Sequence, residues 1–279
     1  MTAFYKMHGL GNDFVIFDAR NRGLALDEGT ARAIADRRLG VGCDQVIVIE
    51  PARAAADAAM RIFNADGDEV EACGNGARCV ARLLMEEKDE STVRISSRGG
   101  LLVCTDAGGG NVTADMGPPN FDWQQIPLAE AVDTRDFVLD VDGEGFTAVA
   151  LSMGNPHCVI FCEDAERAPI AELGSRIETH SMFPARTNVE FVQVPAPGRM
   201  RMRVWERGTG ITRACGTGAC AAAVAAHQRG LGPRDWEVTL DGGMLSIDWR
   251  EGDGHVLMTG AASLAFRGDI DLAMHGVRA

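Results

Sequence analysis

The sequence predicts an α+β fold of two pseudo-symmetric halves from an internal duplication. Each half is expected to be a curved sheet wrapped around a central helix, with the active site in the cleft between the halves. Three observations predict this. Near-identical pentapeptides occur once in each half, Ala72-Cys73-Gly74-Asn75-Gly76 and Ala214-Cys215-Gly216-Thr217-Gly218. Other pairs repeat in the same order at the same spacing. Arg61-Ile62-Phe63-Asn64 matches Arg203-Val204-Trp205-Glu206 at an offset of 142, and Gly11-Asn12 and Gln45-Val46 match Gly154-Asn155 and Asn188-Val189 at 143. Ordered anchors at one offset point to a duplicated structural unit. Finally, the segments after the pentapeptides, Ala77 to Glu87 and Ala219 to Arg229, are mostly apolar. A helix apolar on all sides is buried.

The remaining elements follow from local pattern. β-rich or alternating runs occur at Phe14 to Asp18, Gln45 to Glu50, Ala59 to Phe63, Thr92 to Ser96, Leu101 to Thr105 and Asn111 to Met116. The second half repeats them at Phe146 to Ser152, His157 to Cys162, Asn188 to Val194, Met200 to Trp205, Trp236 to Leu240, Met244 to Trp249 and His255 to Thr259. A further helix in each half is expected from Asp27 to Gly40 and from Pro169 to Thr179. Gly40 and Gly230 read as helix stops. Gly108-Gly109-Gly110 reads as a hairpin turn, because no helical pattern follows it. Two prolines make Gly117 to Trp123 the expected linker. The expected domains are 1–117, completed by 263–279, and 118–262.

Composition bounds the function. The net charge is −13 and no basic cluster is present, which argues against nucleic-acid or anionic-membrane partners. No apolar run approaches the length of a membrane span, and the first residues lack a signal-peptide pattern, so a cytoplasmic location is expected. Eight cysteines in such a chain are expected to be reduced thiols. None has zinc-site spacing, so no metal is expected. Cys43, Cys79, Cys104, Cys158, Cys162 and Cys220 read as structural. Only two lysines, Lys6 and Lys88, stand against 25 arginines. Neither is placed to form the Schiff base that pyridoxal phosphate needs, so no cofactor is expected.

Cys73 and Cys215 are different because of their turns. A cysteine at a helix N-terminus has its thiolate stabilised by open backbone N–H groups and the helix dipole, so both pKa values are expected to fall. Two such thiols facing one small anion suit inversion of a C–H stereocentre. One thiolate removes the proton and one thiol returns a proton on the opposite face. The N–H groups of Gly74, Asn75, Gly216 and Thr217 could hold a substrate carboxylate.

The chain resembles the diaminopimelate epimerase family over nearly its whole length. The resemblance rests on His8-Gly9-Leu10-Gly11-Asn12-Asp13-Phe14, Gly42-Cys43-Asp44-Gln45, Phe63-Asn64-Ala65-Asp66-Gly67, Ala72 to Cys79, Gly154-Asn155-Pro156-His157, Arg186-Thr187-Asn188, and Trp205 to Gly210 leading into Cys215. It implies a cofactor-independent amino-acid epimerase of the lysine and peptidoglycan pathway, acting on a diamino diacid. It implies that Cys73 and Cys215 are the acid/base pair, assisted by His157 and Glu206. Asn12, Gln45, Asn64, Asn155, Asn188, Glu206 and Arg207 would contact substrate, with Gly74, Asn75, Gly216 and Thr217 in the carboxylate-binding turns. A homodimer with Phe266 at its contact is also implied. Proline or hydroxyproline racemases share the two-cysteine logic and stand as the alternative enzyme. A dithiol redox or metal-binding protein is the alternative of another class.

Overall fold

The computed structural model describes residues 1–21, 23–53, 55–71 and 73–275. Ala72 of the first pentapeptide and residues 276–279 of the expected C-terminal segment lie outside the described residues. The chain divides into two compact units, Met1–Ala114 with Gly260–Ala279, and Asp115–Thr259. The Gly117 to Trp123 stretch falls within the second unit. There Asn120 exchanges backbone hydrogen bonds with Ser152, at 2.9 and 2.8 Å.

The first unit contains β1 (Thr2–Gly9), β2 (Asn12–Asp18), α1 (Glu28–Ala35), β3 (Gln45–Glu50), β4 (Ala58–Asn64), β5 (Glu69–Val70), α2 (Gly74–Lys88), β6 (Thr92–Ser97), β7 (Gly100–Gly108) and nearly all of β8 (Asn111–Asp115). The second contains β9 (Phe137–Val141), β10 (Glu144–Ser152), β11 (Pro156–Phe161), α3 (Ile170–Glu178), β12 (Asn188–Ala196), β13 (Arg199–Glu206), β14 (Gly210–Thr212), α4 (Gly216–Gln228), β15 (Asp235–Leu240), β16 (Gly243–Trp249) and most of β17 (Val256–Ala261). Strand β18 (Ser263–Ile270) returns to the first unit and pairs antiparallel with β1.

The strand pairings repeat. In the first unit β1–β2 is antiparallel, β2–β3 parallel, β3–β4 and β4–β5 antiparallel, β4–β6 parallel and β6–β7 antiparallel. In the second unit β10–β11, β11–β12, β12–β13, β13–β14, β13–β15 and β15–β16 follow the same sequence of directions. The registers correspond too. Phe14 pairs Gln45 across β2–β3, and His157 pairs Asn188 across β11–β12. Val46 pairs Phe63, and Val189 pairs Trp205. Each pair is displaced by the spacing read from the sequence, so the duplication is one of three-dimensional structure.

Each sheet buries both faces, which is why its strands read as near-continuous apolar runs. In the first unit Val15, Phe17, Val46 and Val48 join Ala31 and Ile34 of α1 in one cluster. Their strand neighbours Phe14, Ile16, Ile47 and Ile49 alternate to the other side. In the second unit Cys158, Ile160, Val189 and Phe191 join Ile170 and Ile177 of α3. Helix α4 packs on β10 to β13, β15 and β16. Ten of its residues, Gly216 and Gly218 to Ala226, are buried, which explains a composition dominated by alanine. A small side chain lets a helix lie close to the sheet on every side.

Several elements differ from expectation. Asp27 caps α1 by accepting a 2.8 Å hydrogen bond from the Thr30 N–H, but the helix ends at Ala35 and not near Gly40. Asp36 turns the chain by accepting the N–H groups of Arg38 and Leu39. Gly40 then folds back against the helix it was expected to stop. A Cβ there would lie 2.2 Å from the Ala33 carbonyl oxygen and 2.6 Å from that of Ile34. Helices α2 and α4 start within the glycine turns, at Gly74 and Gly216, three residues earlier than the apolar pattern alone implied. Strands β1, β5, β9, β14 and β18 were not read from the sequence. Four residues in the middle of β18, Leu264 to Arg267, are solvent-exposed, so its burial lacks the alternation that marks a strand.

Gly40→Ala should destabilise the protein by about 1–3 kcal/mol, because the clash is with fixed backbone and not with a side chain that can swing away. Chemical denaturation checks this; an unchanged midpoint would show that the 36–40 turn relaxes at no cost.

Candidate active site

In the first unit Cys73 is the N-cap of α2, with an extended backbone (φ −148°, ψ 108°). Its Sγ accepts the Gly76 N–H at 3.4 Å, so the sulfur replaces a missing intrahelical partner. Asn12, at the start of β2, lies beside it. Asn12 Oδ1 is 3.9 Å from Cys73 Sγ and accepts from Asn75 Nδ2 at 3.2 Å. Asn75 Oδ1 in turn accepts from Arg78 Nη2 at 2.9 Å. Gln45 and Asn64, register partners across β3–β4, join through a 2.8 Å bond from Gln45 Nε2 to Asn64 Oδ1. The structure thus links Asn12 and Asn75 to Cys73, and Gln45 to Asn64, as two local groups.

Arg78 has no role in the sequence reading although it sits within the cysteine motif. It is fully buried one turn into α2. An arginine inside an otherwise apolar run is the signal that would have found it, since charged residues are buried only with partners. Asp44 was also missed. It accepts from Asn12 Nδ2 at 3.1 Å and from the Asp13 N–H at 3.0 Å, fixing the start of β2. Arg37 and Lys6 hold the Asp13 carboxyl well below the usual carboxylate range despite its burial. Lys6 is thereby committed to an ion pair, and Lys88 to one with Asp57 at 2.5 Å.

In the second unit Cys215 caps α4, again with extended backbone (φ −119°, ψ 112°). Its Sγ lies 3.6 Å from Thr217 Oγ1. Thr217 Oγ1 accepts from Asn155 Nδ2 at 3.3 Å, and Asn155 Oδ1 lies 2.9 Å from His157 Nε2. His157 Nδ1 lies 2.6 Å from Glu190 Oε1, and both side chains are fully buried. The expected residues Cys215, Thr217, Asn155 and His157 therefore form one chain of contacts, ending on a carboxylate that the sequence reading passed over. Glu190 is the single charge in the run Asn188 to Val194, which was its visible signal.

Glu206, at the end of β13, hydrogen-bonds Thr212 Oγ1. Burial pushes its carboxyl above the usual range and the Glu190 charge adds to this, against hydrogen bonds from Thr212 and Cys215. Cys215 corrects an expectation. Burial, then the charges of Glu206 and Glu190, push its thiol well above the ordinary value of 9.0. The Gly218 N–H and the Thr217 hydroxyl pull the other way and lose. Helix-end stabilisation is worth at most a few kcal/mol, whereas an ionised sulfur inside the protein loses its hydration. The structural cysteines behave alike: burial lifts Cys43 and Cys79 to about 12.

Asn188 is buried and spends its amide on backbone. It donates to the Pro156 carbonyl at 2.9 Å and accepts the Arg207 N–H at 3.0 Å. It therefore fixes the turn that carries Arg207. Glu178, the last residue of α3, braces the same turn through Gly208 N–H at 2.8 Å and Trp205 Nε1 at 2.7 Å. The Arg207 guanidinium is exposed, with Nη1 at 3.4 Å from the Ala185 carbonyl. An exposed guanidinium on a backbone held by Asn188 can take a carboxylate bidentately. Among the described residues no cluster of side chains could hold a metal ion.

Solved structures at low identity superpose along almost the full chain, so they share its two-half α+β fold. A probable proline racemase from Agrobacterium radiobacter K84 matches with a TM-score of 0.70 at 17% identity, covering 98% of this chain and 93% of that one. A hydroxyproline epimerase from Agrobacterium vitis matches with a TM-score of 0.69 at 17% identity, covering 96% and 90%. Sequence similarity is narrower and stronger. The family model for diaminopimelate epimerase matches residues 4–122 and 149–265. The diaminopimelate epimerase of Rhodospirillum centenum is 54% identical over 268 residues, 96% of this chain and 91% of that protein. That of Phenylobacterium zucineum is 53% identical over 270 residues, 96% and 97% of the two chains. The chain belongs to the diaminopimelate epimerase family.

The raised Cys215 pKa has a measurable sign. An ordinary thiol reaches its full alkylation rate soon after pH passes its pKa near 8.5. With Cys73 replaced by alanine, iodoacetamide labelling of Cys215 should still be rising at pH 10. Peptide mapping that showed a plateau below pH 9 would mean the helix end outweighs burial.

Proposed function

We propose that this protein interconverts LL- and meso-2,6-diaminopimelate by a cofactor-independent two-base reaction, in the pathway to lysine and peptidoglycan precursors. The observation that carries this reading is a cysteine at the N-cap of each duplicated helix, in a chain about half identical to diaminopimelate epimerases over nearly its full length. In the reaction, a thiolate takes the α-proton and the electron pair of the C–H bond stays on the substrate. A thiol on the opposite face then delivers its proton to that carbon. The thiolate and thiol exchange forms, and no electron is gained or lost. Burial holds Cys215 as a thiol, the form that delivers a proton, so Cys73 acts as base in that direction. Return of the protonated pair to its starting form lets the next turnover begin.

The other site residues take roles that follow from their contacts. Backbone N–H groups of Gly74, Asn75, Gly216 and Thr217 hold the reacting carboxylate and stabilise the charge that develops on it. Asn12, Gln45, Asn64, Asn155 and Asn188 bind and orient the substrate. Arg207 takes the distal carboxylate. Glu206, beside Cys215, modulates that thiol, and His157 acts from the adjoining strand. The protein works in the cytoplasm as a homodimer, and Phe266, half exposed on β18, belongs to the dimer contact. The proline racemase reading is less well supported. Its structural likeness is one of fold, and a small monocarboxylate leaves Arg207 without a partner.

Incubation with LL-diaminopimelate in D2O should place deuterium at one α-carbon while meso product appears; turnover of proline at a comparable rate would favour the alternative enzyme. Cys73→Ala and Cys215→Ala should each abolish this exchange without loss of cooperative unfolding. Full activity in either well-folded variant would sink the two-base assignment. Arg207→Met should raise KM for diaminopimelate strongly, because the distal carboxylate keeps its charge throughout and such uniform binding appears in KM. An unchanged KM would show that Arg207 does not hold that end.

A further inference from the structure

The two halves differ in what lies under the first turn of their central helices. Gly76 and Gly218 are equivalent positions in the first turns of α2 and α4. At each, the absent Cβ makes room for one strand side chain. A Cβ on Gly76 would lie 2.7 Å from Ile47 Cδ1, and one on Gly218 would lie 2.8 Å from Glu190 Oε1. Ile47 and Glu190 occupy matching register positions, opposite Ile62 and Val204 on the antiparallel neighbour. On the adjacent parallel strands, Phe14 corresponds to His157. All four side chains are fully buried. The first half thus fills the space under its helix with Phe14 and Ile47, and the second fills it with His157 and Glu190.

Packing therefore does not require the polar pair. An apolar pair does the same job in the same architecture, and exchange of a buried ion pair for apolar residues is commonly neutral or stabilising. The pair also carries a cost. Glu190 Oε2 is buried without a hydrogen-bond partner among the described residues, and such an atom lowers stability. What the pair supplies is a defined proton. Asn155 presents Oδ1 to His157 Nε2 and Nδ2 to Thr217, so Nε2 must carry a hydrogen. The 2.6 Å contact between Nδ1 and Glu190 Oε1 needs a second hydrogen shared between ring and carboxyl. Without Glu190, a neutral ring could place its single hydrogen on Nδ1, turn Nε2 into an acceptor and force the Asn155 amide to flip away from Thr217.

We propose that Glu190 is a positioning residue for the epimerisation: it fixes His157 as a donor at Nε2, which orients Asn155 and, through it, the Thr217 hydroxyl beside Cys215. This rests on the epimerase reading above. The ionisable groups on which the Glu190 charge acts are Cys158, Glu206 and Cys215, with His157 as its direct partner.

The test joins a structural readout to a kinetic one. Nitrogen-15 NMR of wild-type protein should show His157 protonated at Nε2, with that hydrogen exchanging slowly. In Glu190→Ile this signature should give way to exchanging tautomers. Deuterium incorporation into diaminopimelate should then show kcat lowered on the order of 100-fold with KM changed by less than about threefold, as expected when a group is misplaced and binding is retained. Glu190→Gln can still bond Nδ1 and should recover most of kcat. The double variant His157→Phe with Glu190→Ile, which copies the first half, should melt no lower than wild type. A wild-type kcat in Glu190→Ile, an unaltered His157 signature, or a marked loss of stability in the double variant would each overturn the proposal. If wild-type protein incorporates no deuterium into diaminopimelate, the epimerase reading fails instead, and the imidazole signature still decides whether Glu190 holds His157.

Discussion

A helix start pressed against the strand side chains beneath it, with only glycine at the point of contact, is the contact on which the rest of the structure depends. At Gly76 and Gly218 the space a Cβ would need is occupied from the neighbouring strand. Cys73 lies beside Asn12 at the start of β2, and Cys215 is linked through Thr217 to Asn155 just before β11. The close approach explains the helices themselves. A helix this close must be made of small or flat-lying residues, and α4, with alanine at six of its positions, meets that condition on every face. The cysteines stay extended at φ −148° and −119°, which leaves the following N–H groups pointing out of the turn.

Charge is arranged locally against an acidic background. A chain of net charge −13 repels anions on average, so recognition of a diacid needs short-range donors. In the proposed function those donors are backbone N–H groups at two helix ends and one exposed guanidinium on a turn braced by Asn188 and Glu178. Neither device depends on the overall field. The carboxylates of the second half have a different effect. Glu206 and Glu190 add to burial in keeping Cys215 protonated, so of the two N-cap sulfurs the more enclosed one is held uncharged. The dipole of a helix end, which governs an exposed thiol, is outweighed where water is excluded.

The repeat was legible because duplication left its mark in residues that the backbone constrains. Glycines at close approaches and asparagines at strand starts persist at a fixed spacing, and strand pairing follows that spacing to the residue. Cys73, Asn12 and Asn155 were singled out for the same reason, whereas His157, whose counterpart is Phe14, was named through the family resemblance alone. What escaped was set by tertiary context. Strand β18 carries no alternation because the middle of one face and its opposite are exposed. Helix α1 stops short because a side chain, that of Asp36, captures the next turn. Arg78 and Glu190 were visible as charges in apolar runs, but their burial is set by packing, and the partner of Glu190, His157, is distant in sequence. Asn188 shows the converse. It was named as a substrate contact, while its amide is engaged by the main chain of Pro156 and Arg207.

The difference between Phe14 with Ile47 and His157 with Glu190 bears on how such a molecule arises. Two identical chains assembling as a pair must carry the same side chains at both equivalent places, so a buried polar pair would appear twice or not at all. Joining the copies in one chain removes that restriction. Each half can then mutate alone, and one can keep a plain hydrocarbon filling while the other takes on a proton. Fusion, in this protein, is what allows a symmetric framework to hold an unsymmetric interior.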